Sequence, residues 1–462
     1  MFIDTHAHLD FDNFDTDRNA VVARARDAGV TTIVNVGTGL ASSERAVALA
    51  HEFDGLYATV GLHPHDAQTY TPTIMKKFDA LAHDEKVVAL GEVGLDYFRD
   101  HSPRIMQQEV LRAFIALHKK TQLPLIIHAR DSYDDVYAIL TDELGGSVHG
   151  VMHCFSGDED TLKRFLALGM YISFAGHTTY PKNETLRRLA ALVPDERLLI
   201  ETDSPFLAPQ AMRGKRNEPA YITDTAACIA AARNISLEDL GRITTRNAER
   251  FFALPQAEHQ PEIIYKIRNT AYVNVTRGCT SACVFCPRTR ESGLAVKGHN
   301  LAVSHEPTVE ETKTALEVFR GDCDEICFCG FGEPLLRLDF VIAVASYCKE
   351  RFRGIPIRID TNGHGNLIHK RNILPELAGM IDRMSISLNA PDAESYRKIV
   401  QPEFEGDVFE EVKAFIREAK KHIPLITVTC LNYPGIDTEK VRHIAEEELS
   451  VQFRLRIYDE VG

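Results

Sequence analysis

The chain has 462 residues, about three times the ~150-residue prior for one domain, so two or three domains with full cores are expected. Apolar residues make up 44% and charged residues 26%, which excludes disordered, collagen-like and coiled-coil chains. Lys plus Arg number 52 against 66 Asp plus Glu, a net charge of −14, the wrong sign for a protein that coats duplex DNA.

A local pocket in which metals supply positive charge is still allowed. No apolar run approaches the ~18–20 residues of a membrane helix, and Met1-Phe2-Ile3-Asp4 lacks the basic start of a secretory signal. A cytoplasmic protein with no membrane partner is therefore expected. Ten cysteines in such a chain read as metal or redox ligands before disulfides.

Apolar segments predict strands at 2–6, 31–36, 57–61, 87–91, 124–128, 148–153, 171–174 and 198–202, separated by amphipathic stretches of helix length. Eight strands alternating with helices over about 250 residues is the sequence form of a closed (β/α)8 TIM barrel. A doubly wound sheet competes, but it needs no ligand residue at most strand ends. The seam is Leu254-Pro-Gln-Ala-Glu-His-Gln-Pro261, where two prolines disfavour a continuous helix. Beyond it, strands are predicted at 271–276, 325–329, 355–360, 384–388, 425–430 and 452–457. Six strands suit an open (β/α)6 partial barrel. The expected domains are 1–254, a linker 255–263, and 264–462.

Residues His6 and His8 end the first strand two apart, so both imidazoles can turn to one ion. Glu92, His128, His153 and Asp203 fall at later strand ends. In a barrel all these ends open on one face, where four imidazoles and two carboxylates suit two divalent ions bridged by a carboxylate. His63, behind a strand and before Pro64, is assigned to a substrate phosphate, and His65 to structure. Arg130, Arg213, Lys215 and Arg216 are candidate phosphate contacts; Cys154 and Cys228 read as buried apolar side chains.

These segments resemble the TatD family of metal-dependent deoxyribonucleases, within the amidohydrolase-type barrels. The resemblance rests on Phe-Ile-Asp-Thr-His-Ala-His-Leu-Asp, Gly61-Leu-His-Pro-His, Gly91-Glu-Val-Gly-Leu-Asp-Tyr, His128-Ala-Arg-Asp, His153-Cys-Phe-Ser-Gly, Glu201-Thr-Asp-Ser-Pro and Arg213-Gly-Lys-Arg-Asn-Glu-Pro. It implies two divalent ions (magnesium, manganese or zinc), one held by His6 and His8, the other by His128 and His153. Glu92 would bridge them, and Asp203 would ligate and take the proton of the attacking water. The substrate would be DNA strand ends, single-stranded, or a small phosphodiester, cut exonucleolytically. An amide or ester hydrolase is the alternative, because the same metal core cleaves those bonds.

In the second half, Cys279, Cys283 and Cys286 follow a strand with the spacing Cys-X₃-Cys-X₂-Cys. A zinc site wants a fourth ligand, such as His299 or His305, whereas a [4Fe–4S] cluster on three cysteines leaves one iron open. With Phe285 as a shield, this motif resembles the radical S-adenosylmethionine (SAM) superfamily over 264–462. That resemblance implies SAM as cofactor, cleaved to methionine and a 5′-deoxyadenosyl radical that takes hydrogen from a further substrate. It also implies a reductant of flavodoxin or ferredoxin type. Gly330, Gly332 and Glu333 match the Gly-Gly-Glu-Pro element, with Phe331 intervening; Asn362 and Ser387 match later cofactor contacts. Cys323, Cys327, Cys329, Cys348 and Cys430 are read as core packing rather than ligands of a second cluster. A cluster-binding module without radical chemistry is the alternative for this half.

Overall fold

The structure, a computed structural model, describes residues 1–255, 261–289, 294–296 and 298–458. The chain divides into two compact units, Met1–Ala257 and Glu258–Gly462. Most of the expected linker, residues 256–260, lies outside the described residues.

Eight parallel strands pair in sequential order in the first unit. They are β1 (Phe2–Ala7), β2 (Val30–Val36), β3 (Leu56–Val60), β4 (Val87–Asp96), β5 (Leu125–Arg130), β6 (Gly150–Met152), β7 (Tyr171–Phe174) and β8 (Leu198–Ile200). The ends of the sheet meet through a parallel bridge between Ala7 and Ser204. There the Asp203 N–H donates to His6 O and the His8 N–H to Ser204 O, both at 2.8 Å. This is the expected (β/α)8 barrel. Strand alternation builds two apolar layers. Leu125, Ile127, Leu198 and Ile200 pack outward against helices. Ile126, Val151 and Leu199 turn inward onto Phe251, Phe252 and Leu254, which follow from the helix Leu237–Phe251. Each fully buried aliphatic side chain contributes about 1.5–3 kcal/mol.

The second unit contains β9 (Ile264–Ile267), β10 (Thr270–Asn274), the short pair β11 (Ala295–Val296) and β12 (His299–Asn300), β13 (Glu325–Cys329), β14 (Ile357–Thr361), β15 (Arg383–Ser387), β16 (Leu425–Asn432) and β17 (Gln452–Ile457). Its main sheet runs β17-β16-β15-β14-β13-β10-β9. The six expected strands are parallel neighbours, but β9 adds a seventh, antiparallel to β10, so the sheet is mixed. Sequence patterning misses β9 because its four residues sit beside the prolines of the seam. Its two-residue turn is Arg268-Asn269, with Arg268 at φ 54°, and lacks the Asn-Gly type signal of a tight hairpin.

Candidate functional site

All but one of the ligand candidates of the first unit lie near or just past the end of a barrel strand; the exception is Glu92, which stands inside β4 because that strand runs on past the predicted end at 91 to Asp96. His6 is in β1 with His8 just after it, Glu92 is in β4 and His128 in β5; His153 and Asp203 follow β6 and β8. Irregular backbone aims them. β1 slips register between Asp4 and Ala7, and β4 between Leu90 and Val93. The second slip frees Glu92, whose N–H donates to Gly37 O at 3.0 Å. Gly94 has φ 149°, and a Cβ there would lie 2.0 Å from His128 O, so only glycine lets β5 come this close. Asp203 sits in the left-handed region at φ 55°, which Asp tolerates better than most residues.

The other five side chains gather around the Glu92 carboxylate. Its Oε2 lies 3.5 Å from His6 Nε2 and 3.8 Å from His8 Nε2. Its Oε1 lies 2.7 Å from His128 Nδ1 and 2.8 Å from His153 Nε2. Asp203 Oδ1 completes the first side, 3.8 Å from His6 Nε2 and 3.4 Å from His8 Nε2. His63 also reaches Glu92, with Nε2 3.5 Å from Oε1, and its Nδ1 accepts from the His65 N–H at 3.2 Å.

Three of the rings are anchored by their other nitrogen. His8 Nδ1 is 2.8 Å from Val36 O, His128 Nε2 3.3 Å from Asp96 Oδ2, and His153 Nδ1 3.3 Å from Glu201 Oε1. Such outer partners set the tautomer and turn the inner nitrogen toward the site. Sequence reasoning missed Asp96 and Glu201. The two-residue strand period was their signal, since Asp96 is in phase with Glu92 and Glu201 with Asp203. His65 donates to Asp96 Oδ2 at 2.9 Å, so it supports this outer shell.

Burial alone would raise the Glu92 carboxyl, but the charges of His153 and His63 and hydrogen bonds from His128 and His153 hold it well below its usual range. Burial opposes charge on His8, yet its hydrogen bond to Asp203 and the charges of Asp203 and Glu92 push it up to about 9. Burial likewise opposes charge on His153, which Glu92 and Glu201 drive well above its ordinary value. Burial and the charge of His153 keep His6 low, and burial keeps His63 low. The carboxylates thus call for positive charge at this point.

The site opens into a cavity of about 660 Å³, lined by Phe11, Phe206, Arg99 and Arg130 as well as the histidines. Phe206 is 51% exposed. Arg130 stacks 4.0 Å over Phe98, itself 55% exposed. Arg216, a candidate phosphate contact by sequence, is instead held by both oxygens of Asp17, and Arg213 stacks on Tyr180. The Cys154 thiol lines the cavity, 3.9 Å from His177 Nδ1.

In the second unit, Cys279, Cys283 and Cys286 lie on the loop after β10, partly buried. Burial, with the neighbouring Cys279 and Cys286, raises the Cys283 thiol to about 12. Asn362 Nδ2 donates to Thr280 Oγ1 at 3.0 Å and to Cys279 Sγ at 3.8 Å. Glu333 is buried, with Oε1 accepting from Thr361 Oγ1 at 2.7 Å and Oε2 from the Asn362 N–H at 2.7 Å. Its own N–H donates to Gly278 O at 2.8 Å. Gly332 packs so tightly there that a Cβ would lie 2.1 Å from Thr276 O. Gly330, at φ 116°, turns the chain beside Asn274, and Ser387 Oγ is 3.4 Å from Thr429 Oγ1. The structure thus knits the cysteine loop, the 330–333 turn and the end of β14 into one surface.

Residues 3–253, more than half of the chain, match the family model for TatD related DNase. The chain belongs to the TatD family. Residues 273–447 match the radical SAM superfamily, so the TatD domain is followed by a radical SAM domain, and both are enzyme families. Over 254 residues the chain is 42% identical to the metal-dependent hydrolase YabD of Bacillus subtilis, covering 55% of this chain and 100% of that protein. It is 38% identical over 257 residues to the 3′-5′ ssDNA/RNA exonuclease TatD of a Pantoea species, covering 54% and 99%. The crystal structure of YjjV, a TatD homologue from Escherichia coli, superposes with a TM-score of 0.53 at 33% identity, covering 55% and 98%.

For a TatD hydrolase the donors fit divalent ions: imidazole nitrogens and carboxylate oxygens converge from opposite sides on one carboxylate. For a radical SAM domain the three thiols on one loop fit a cluster, and the two histidines considered for a zinc site are engaged elsewhere. His299 Nδ1 is taken by Glu262 at 3.0 Å and its Nε2 by Lys266 O at 3.0 Å. His305 Nε2 is taken by Glu311 at 3.1 Å and its Nδ1 lies 3.3 Å from Ser304 Oγ.

Proposed function

We propose that the TatD domain is a divalent-metal-dependent exonuclease on single-stranded DNA ends, fused to a radical SAM enzyme with a [4Fe–4S] cluster on Cys279, Cys283 and Cys286. One observation carries the hydrolase reading: Glu92 offers Oε2 to His6 and His8 and Oε1 to His128 and His153. That split suits a bridging ligand between two ions, one held also by His6, His8 and Asp203, the other by His128 and His153. When bound, two such ions supply an activated water and neutralise the phosphodiester.

The chain's own groups do the rest. Asp203, held ionised by the hydrogen bond from His8 and the charges of His6 and His153 against the pull of burial, takes the proton of the attacking water at its carboxylate. His63 accepts at Nδ1 from the His65 N–H, so its hydrogen sits on Nε2 beside Glu92, where it can meet a phosphate drawn to the metal site. Arg99 and Arg130 line the cavity as phosphate contacts, and the exposed faces of Phe206 and Phe98 offer stacking to unpaired bases. This aromatic and basic mouth favours nucleic acid over an amide or ester. The Pantoea relative's exonuclease name points the same way.

In the radical SAM domain, the bound cluster and SAM supply a carbon radical for hydrogen abstraction, fed by a flavodoxin- or ferredoxin-type donor. Gly330, Gly332, Glu333, Asn362 and Ser387 shape the cofactor pocket. Release of methionine from SAM under anaerobic reduction tests this activity.

The test of the hydrolase is cleavage of 3′-end-labelled single-stranded DNA with Mg²⁺ or Mn²⁺, beside Asp203→Asn. Stepwise release of nucleotides, lost in the variant, is expected. No cleavage by folded, metal-loaded protein would overturn the nuclease reading and favour the amide or ester hydrolase.

A further inference from the structure

Not all buried cysteines of the second unit are alike. Cys323, Cys348 and Cys430 lie in its hydrophobic core, as expected for packing. Cys327 is fully buried too, but on the other face of its strand. In β13 the side chains of Ile326 and Phe328 enter the core, and those of Glu325, Cys327 and Cys329 turn to the opposite face. In β14, Ile357 and Ile359 enter the core, leaving Arg358 and Asp360 beside the cysteines. The inner face is therefore polar just where the two thiols stand.

Ligand atoms of Cys327, Cys329 and Asp360 all lie within 4.8 Å of one another. Adjacent strands explain the gathering: two cysteines in phase on β13 meet an aspartate one register step on in β14. Arg358 donates through Nη1 to Asp360 Oδ1 and through Nε to Glu325 Oε2, at 3.0 Å in the latter case. A carboxylate has further lone pairs, so that ion pair orients Asp360 without exhausting it. Arg383 Nη1 reaches Glu325 Oε1 at 2.9 Å, so two acids and two guanidinium groups balance here. A divalent ion entering as two thiol protons leave keeps that balance unchanged.

We propose that Cys327, Cys329 and Asp360 form a second, mononuclear metal site in the radical SAM domain, for a thiophilic divalent cation of the zinc class. Three protein ligands leave one tetrahedral position, and that position takes a nitrogen or sulfur donor of the domain's substrate. The assignment is independent of the hydrolase reading and of the cluster, since it uses none of their ligands.

Cobalt titration of the full-length protein tests it, in a background carrying Cys279→Ala, Cys283→Ala and Cys286→Ala. The proposed ligands of the barrel site are histidines and carboxylates, and Cys154→Ala in the same background removes the thiol that lines its cavity, so thiolate-to-cobalt charge-transfer absorption reports Cys327 and Cys329. One equivalent of such absorption is expected, displaced by zinc, lost in Cys327→Ser with Cys329→Ser, and about tenfold or more weaker in Asp360→Asn. Imidazole is expected to shift the cobalt spectrum through the open position. In parallel, zinc X-ray absorption on cluster-loaded wild type and Cys327→Ser avoids the substituted background, and loss of sulfur scattering is expected in the variant. Absence of the charge-transfer signal from natively folded protein, or its survival in the double serine variant, would overturn the site. A spectrum untouched by imidazole would overturn the open position.

Discussion

His364 shows how one buried ring can set a pH limit. Its Nδ1 is 2.9 Å from Thr280 Oγ1 and its Nε2 2.9 Å from the Tyr396 hydroxyl, with no carboxylate partner in either bond. Burial pushes it down to about 4. Because the folded value lies below the unfolded one, near 6.5, the neutral ring's contribution is complete above pH 6.5 and is lost as pH falls toward 4. The loss reaches about 3 kcal/mol by the linkage relation. Denaturant unfolding at pH 7 and pH 5 should show about 2 kcal/mol of it by the same relation, and His364→Gln should flatten the difference. Thr280 adjoins Cys279, so acid should loosen the cysteine loop first. Two residues of the barrel invite a second measurement. Asp96→Asn and Glu201→Gln leave every proposed ligand in place but weaken the anchors of His128 and His153. The metal concentration for half-maximal hydrolysis should rise about 10–100-fold in each.

At the scale of elements, short segments carry the sites because the backbone there departs from regular geometry. The slip in β4 aims Glu92, and the packed turn at Gly332 ties the end of β13 to the cysteine loop. Gly332→Ala would place a Cβ 2.1 Å from Thr276 O and 2.5 Å from Gly278 O, both backbone atoms that cannot step aside. A cost of about 1–3 kcal/mol is expected, with reduced iron incorporation on reconstitution while far-ultraviolet circular dichroism stays native. Full iron loading and unchanged stability would show that the turn yields. These same places mark where patterning failed. Even the three-residue strands β6 and β8 were legible, because each alternates with helix-length stretches, whereas β9, four residues between a proline-bearing seam and a two-residue turn, was not.

For the whole molecule, each unit contains all the residues proposed for its own chemistry. Glu92→Ala should therefore abolish hydrolysis and leave iron and sulfide content unchanged, and Cys283→Ala should do the reverse. Assaying both activities in both variants checks this, and loss of both in either variant would mean that the units depend on one another.

The sequence by itself determined the two enzyme families, the alternation of strands and helices, and the barrel strands in or after which His6, His8, Glu92, His128, His153 and Asp203 stand. Those features are local, because ligand type, spacing and the two-residue strand period are all written within a few neighbouring residues. Only the tertiary structure decided which groups serve them. Asp96 and Glu201 became anchors of His128 and His153, Arg216 went to Asp17, and both nitrogens of His299 were taken by Glu262 and Lys266. Cys327 and Cys329 likewise looked like core until β14 brought Asp360 beside them. Such pairings join residues far apart along the chain, and their geometry exists only once strand register brings the partners within hydrogen-bonding or ligand distance.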